Sequence, residues 1–270
     1  MTARLFLQIA SMEARRRMSY RVDFWLTALV GFAAQFGVVY FLWTALFAES
    51  GKTTMGGYTF EALLFYYVAV LLIGKLVRGV EFDNHVSQDI YEGGLNRYLV
   101  FPASYFGFKY AQHLGSLIPA LIQITLFGGV SILAMDLTAN TSISPSSVLM
   151  SITSIALANL LYFLMSFPLQ TTAFWADNVW SLLVALRFIT GLLGGMMVPL
   201  ALFPDWLRQA NEWLPFRCLF SVPVETLMGR LAFGEWASAM LIGLAWVGIL
   251  AAVDAAVWRR GNLQYSGIGL

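Results

Sequence analysis

The residues most able to do chemistry in this 270-residue chain are few and scattered. Residues 48–54 read AESGKTT, and Gly51-Lys52-Thr53 is the tail of a loop that cradles nucleotide phosphates. The full loop needs a glycine five residues before Gly51, and that position is Leu46. No strand pattern precedes it, so the string reads as a solvated turn beside Gly56 and Gly57. His85 lies near Asp83 and Asp89, a trio that on a water-facing loop is usually a solvated face. His85 and His113 share no metal-ligand spacing, and neither GxSxG nor HExxH occurs. One cysteine, Cys218, excludes an intrachain disulfide and a cysteine-based zinc site. Catalysis and a resident cofactor are therefore not expected in this chain. The polar residues have to be read through the elements that carry them.

Composition sets those elements. The chain is 59% hydrophobic and 11% charged, against roughly 25% charged in soluble domains. So little polar side chain cannot cover a water-exposed surface of this size, and the excess apolar surface must face lipid. The expectation is an all-α integral membrane protein, a single transmembrane domain over 1–270. A net charge of +1 gives no reason to expect a nucleic-acid partner. Apolar runs of about 20 residues, enough to cross the hydrocarbon as helix, lie at 24–47, 60–80, 110–134, 147–168, 179–203 and 236–257. QTTAFWADN, 170–178, separates the fourth and fifth with Gln170, Asp177 and Asn178 as turn residues. Lys and Arg collect on cytoplasmic loops. With the N-terminus inside, that side receives Arg4, Arg15, Arg16, Arg17, Arg21, Lys75, Arg78, Arg97, Lys109, Arg259 and Arg260. The outer side receives only Lys52, Arg208, Arg217 and Arg230. Both termini are thus expected in the cytoplasm, and AESGKTT on the far side from cytosolic ATP.

Three segments are not plain spans. The arm 1–22 runs without Pro or Gly, puts Leu5, Ile9 and Met12 on one helical face and ends in Arg15–Arg17 and Arg21. It suits an interfacial helix on the anionic inner leaflet, or simply a positive-inside anchor. The loop 81–109 is expected to begin with span two continuing into water, Lys75, Arg78 and Glu81 pairing along one face. Val86–Tyr91 then resembles a short helix stopped at Gly93-Gly94, and Pro102 ends the following turn. It could be a docking surface exposing Tyr91, Leu95 and Tyr98 beside charges, or an ordinary connection. The stretch 204–235 is broken by Pro204, Pro215 and Pro223 yet rich in Trp206, Trp213, Leu214, Phe216, Phe220 and Leu227. It reads as short helices dipping into or lying on the outer interface, capping a pathway or only packing.

Within the spans, Gln35, Asn159 and Arg187 are candidate pathway or interhelix polar groups, with Gln123 beside them. Arg187 could snorkel, pair with Asp177 or line a polar cavity. Asp254 is expected to pair with Arg259 and Arg260 at a helix end. Gly191, Gly194 and Gly195 before Met196-Met197-Val198-Pro199 should thin or kink the fifth span. No inverted repeat and no mid-membrane carboxylate marks an ion-driven carrier.

A set of motifs coincides across essentially the whole chain. Arg16, Tyr20, Arg21, Asp23 and Phe24 stand in R-x-x-x-Y-R-x-D-F, and GGYTFEALLFYYV follows at 56–68. Next come EGGLNRYLVFPASYF at 92–106, FWADN at 174–178, PLALFP at 199–204, LPF at 214–216 and the tail RRGNLQYSGIG. In order and spacing they resemble the six-span permease subunits of type-2 ATP-binding-cassette exporters, in the subgroup often encoded as paired permeases beside one ATPase. The resemblance implies an interfacial elbow for the arm, a coupling helix within 81–109, and outer re-entrant helices between spans five and six. It implies ATPase contact at Asp89, Tyr91, Glu92, Gly93, Gly94, Leu95, Asn96, Arg97 and Tyr98. ATP and Mg would then belong to the partner subunit, with a second permease completing the pathway in the plasma or inner membrane. The implied function is ATP-driven export of a hydrophobic or amphipathic substrate. A stand-alone carrier or lipid scramblase, and a membrane scaffold, are the alternatives.

Overall fold

The computed structural model describes residues 2–18, 21–79, 85–100, 104–139 and 143–265, with backbone alone at 21–24, 27, 28, 99, 127 and 130–139. These residues form helices, short 3-10 turns and an isolated bridge between Met55 and Tyr58. In order they are α1 (Ala3–Met18), α2 (Arg21–Ser50), α3 (Phe60–Arg78), α4 (His85–Tyr91), α5 (Leu95–Leu99), α6 (Tyr105–Ala139) and α7 (Pro145–Thr171). Then follow α8 (Trp180–Leu193), α9 (Asp205–Glu212), α10 (Ser221–Leu227) and α11 (Phe233–Gln264). Leu29–Ser50, Phe60–Arg78, Pro145–Phe174 and Phe233–Gln264 are each long and apolar enough to cross a membrane.

The core is built around α3. Beyond the exposed Glu61 in its first turn, FEALLFYYVAVLLIG is apolar all round, and Leu63, Tyr66, Val70 and Val77 are fully enclosed. Its start is fixed by the Thr59 hydroxyl accepting from the Ala62 N–H, its end by Gly79 at φ +73. A side chain at Gly79 would strike His113, so the chain turns directly over α6 there. Ser144 and Ser147 form a reciprocal cap with Pro145 in the first turn, which starts α7.

Side-chain contacts fix the helix directions. Phe47 meets Phe60 and Trp43 meets Tyr67, so α2 and α3 are antiparallel. Gly79 lies against His113 and Leu72 against Gly128, which makes α6 antiparallel to α3. Tyr105 meets Phe167 and Tyr110 meets Phe163, which makes α7 antiparallel to α6. Arg78 donates to the Arg187 carbonyl and Tyr66 to the Gly195 carbonyl, so α8 runs against α3. Trp236 donates to Ser154, and Gly261 presses on Phe174, so α11 is parallel to α7. The runs α2, α3, α6, α7, α8 and α11 therefore alternate in direction.

Several expectations need correction. The arm is helical, but it packs on α6 through Ile9, Ala10, Glu13 and Ala14, while Met12 is 71% exposed. The contact is close because Gly115 of α6 has no side chain to meet the Ala10 carbonyl. The end of α3 does not run into water: Lys75 donates to Gln123, and Arg78 lies over the rings of Phe220 and Tyr162. Glu81, its expected partner, and Asp83, Pro102 and Tyr20 lie outside the described residues. The last part of 81–109 is already the first turn of α6. Asp254 is not paired with Arg259 and Arg260; it is 3% exposed, and neither carboxylate oxygen has a partner among the described residues.

Candidate functional site

Two regions collect the polar groups, one at each end of the alternating runs. At the first, α4 and α5 lie across the end formed by α6, α7, α8 and α11. The DIYEGGLNRY string makes both helices. Gly93 at φ +68 takes a conformation that a Cβ would strain, and Leu95 restarts the helix after it. Val86, Ile90 and Leu95 then point into a cluster with Tyr105, Phe163, Phe167, Ala173, Val179 and Leu183. The Val86 N–H donates to the Gln170 side chain at 3.0 Å, and the Tyr91 hydroxyl to the Ala176 carbonyl at 2.8 Å. The linker 170–178 is thus the floor on which α4 sits.

At the centre is Asp89. Its Oδ2 receives Lys109 Nζ at 2.6 Å and the Tyr105 hydroxyl at 2.8 Å, both from the first two turns of α6. Its Oδ1 lies 3.6 Å from Arg97 Nη2 of α5. Lys109 is almost completely buried, its ammonium over the rings of Tyr98 and Tyr105. The Tyr105 ring stacks on Trp258 of α11 at 4.8 Å and 9°. His85 opens α4; burial holds its imidazole below the ordinary value, with the Lys109 and Arg17 charges adding to that.

The expected contact set therefore divides by exposure. Asp89 and Leu95 are buried, Leu95 completely, so Leu95 is not the exposed docking residue its neighbours suggest. Tyr91 and Tyr98 are half-buried, as are Gly93 and Gly94. Glu92, Asn96 and Arg97 face outward, joined by Val100 at 83% exposure. Sequence reasoning missed Lys109, Tyr105, Gln170 and Trp258. One signal was available: a lysine near the start of an apolar helix opposes the helix dipole and calls for a carboxylate.

The opposite end is built on the break after α8. Gly194 abuts Thr190 and Phe220 too closely for a side chain, and Gly195 has φ +87. The Gly191 carbonyl accepts from both Met196 and Met197, while Gly194 and Gly195 carbonyls take the Ser221 N–H and the Tyr66 hydroxyl. Tyr67 donates to the Met197 carbonyl. The helix covers 180–193 of the apolar run 179–203, and its broken backbone is satisfied by α3 and α10. Helix α10 is buried against α7, with Ser151 donating to the Pro223 carbonyl at 2.8 Å. Glu225 accepts from Ser221 at 2.8 Å and faces the Tyr58 hydroxyl at 3.5 Å; burial raises its carboxyl above the usual range. Arg230 donates to the Gly57 carbonyl and covers the Tyr58 ring, while Trp206 and Trp213 are exposed.

Among the other candidates, Asn159 Nδ2 donates to the Leu76 carbonyl at 2.7 Å and lies 2.8 Å from His113 Nε2. It joins α3, α6 and α7. Gln35 is exposed on α2, and Arg187 is exposed on α8. These three are not brought together. A family model described as that of an ABC-2 family transporter protein matches residues 33–269, from within α2 to the C-terminal tail. No curated protein matches the chain.

Proposed function

The chain belongs to the ABC-2 transporter family, and from that premise we propose that it is the membrane permease of an ATP-binding-cassette exporter. Membership implies an ATP-binding partner. The observation that carries the proposal further is the α4–α5 pair. It is folded on the helix ends by a buried hub and presents Glu92, Asn96, Arg97 and Val100 outward. A rigid base with an exposed, mixed-charge rim is what a docking partner can push against. The ATPase subunit would bind ATP and Mg and dock here, with this chain supplying no nucleotide site of its own.

The alternating directions of α2, α3, α6, α7, α8 and α11 support six spans. On the charge asymmetry, α1, α4 and α5 would lie in the cytoplasm and α9 and α10 toward the outside. The fifth span would be α8 plus the buried turns beyond it, since irregular backbone at membrane depth is tolerated where protein encloses it. A second permease would complete a pathway for a hydrophobic or amphipathic substrate in the plasma or inner membrane.

The test is capture of a co-expressed ATPase subunit by the detergent-solubilised permease. Exchanging the two rim charges, Glu92→Arg with Arg97→Glu, should cut capture about tenfold, the worth of ~1.4 kcal/mol. Glu92→Arg alone, which leaves Arg97 beside Asp89, should weaken capture without lowering the thermal midpoint. Unchanged capture would overturn the docking surface.

A further inference from the structure

We propose that Asp89 and Lys109 are positioning residues that join the docking pair to α6 and α11. Movement of the ATPase then enters the membrane part through these helices. The inference rests on the docking reading of α4–α5 given above.

The hub is lopsided. Both groups on Asp89 Oδ2, the Lys109 ammonium and the Tyr105 hydroxyl, come from α6. The same tyrosine ring lies flat on Trp258, which also meets Phe167 and Phe174. The link from α4 to α7 and the linker after it is of another kind: neutral hydrogen bonds from Val86 and Tyr91 and apolar packing, which can slide. An ion pair in a dry site cannot slide, because separating it leaves two uncompensated charges. Displacing α4–α5 must therefore carry the first turn of α6 with it, and the stacked Tyr105–Trp258 pair carries the end of α11.

Stability alone does not account for this arrangement. A buried ion pair replaced by apolar groups is often neutral or stabilising. Lys109 also stands at the positive end of α6, where a cation is disfavoured. What the pair supplies is a fixed register between a cytoplasmic element and two long helices.

The test uses the permease–ATPase complex with Cys218→Ala and Leu263→Cys. Leu263 is 88% exposed near the end of α11. Maleimide labelling at this cysteine is timed with and without AMP-PNP and Mg. In the parent complex, nucleotide should change the rate by about fivefold or more, within the range of ordinary coupling between sites. The double variant Asp89→Asn with Lys109→Met removes both charges, so no orphan charge threatens folding. Measured on the ATPase complex that this variant forms, the nucleotide response should fall below about twofold. Lys109→Arg, which keeps the pair, should restore the response. A full response in the double variant, or none in the parent, overturns this inference alone. Failure of the parent to capture any ATPase overturns the docking reading as well.

Discussion

At the scale of single residues, the most exposed conflict with elementary chemistry is Asp254. Its neighbours in sequence suggest a pair with Arg259 and Arg260, but α11 turns it inward, where neither oxygen finds a partner among the described residues. A buried polar group without a partner costs about 1–3 kcal/mol. Asp254→Leu should therefore raise the thermal midpoint in detergent, followed by tryptophan fluorescence; a fall would mean that the carboxylate has a partner in the working protein. His85 carries the opposite kind of test. Its imidazole is held low by burial, then by Lys109 and Arg17, so the folded form resists a proton that the unfolded chain accepts. Stability is then complete above the unfolded value of about 6.5 and is lost as pH falls through it. The midpoint should drop between about pH 7.5 and 5.5, and drop less in His85→Gln; an equal drop would remove His85 as the cause.

At the scale of elements, legibility followed the range of the interactions. Gly93, Gly191, Gly194 and Gly195 announce breaks locally, and the helices do end there, at Tyr91 and Leu193. What closes each break is non-local and left no pattern along the chain. Tyr66 and Tyr67 sit in an apolar string that reads as plain core, yet their hydroxyls satisfy carbonyls of Gly195 and Met197. Tyr66→Phe keeps the ring and removes the donor. It should cost about 1–3 kcal/mol, the penalty for an orphaned buried carbonyl, and lower the midpoint; no change would mean that water enters the break. The arm behaves likewise. A helix was legible over 1–22, but its buried face was not, because that face is set by Gly115 a hundred residues away. Gly115→Val should lift α1 off α6 and speed proteolysis of the arm. Unchanged protection would show that α1 is held by its arginines at the headgroups.

At the scale of the whole molecule, composition had already required lipid, and the structure shows where the apolar surface lies. Val38 and Phe41 of α2, Phe188 of α8, and Leu241 and Leu244 of α11 are all more than half exposed. That is far more than a water-soluble chain tolerates in one body. Helix α3, by contrast, is enclosed by its own chain. Such a distribution leaves α2, α8 and α11, together with Leu126 of α6 and Leu149 and Ile152 of α7, as surface that lipid or a partner must cover, an assignment hydropathy could not make because it scores all apolar helices alike. The alternation of directions then separates two ends: α1, α4 and α5 at one, the 48–58 turn with α9 and α10 at the other. In the orientation proposed above, the first end is the cytoplasmic one. Single cysteines in a Cys218→Ala background test both claims together. Lys52→Cys should react with an impermeant maleimide in intact cells, and Asn96→Cys only after lysis. Both positions reacting from one side would break the alternation, and the reverse pattern would invert the protein in the membrane.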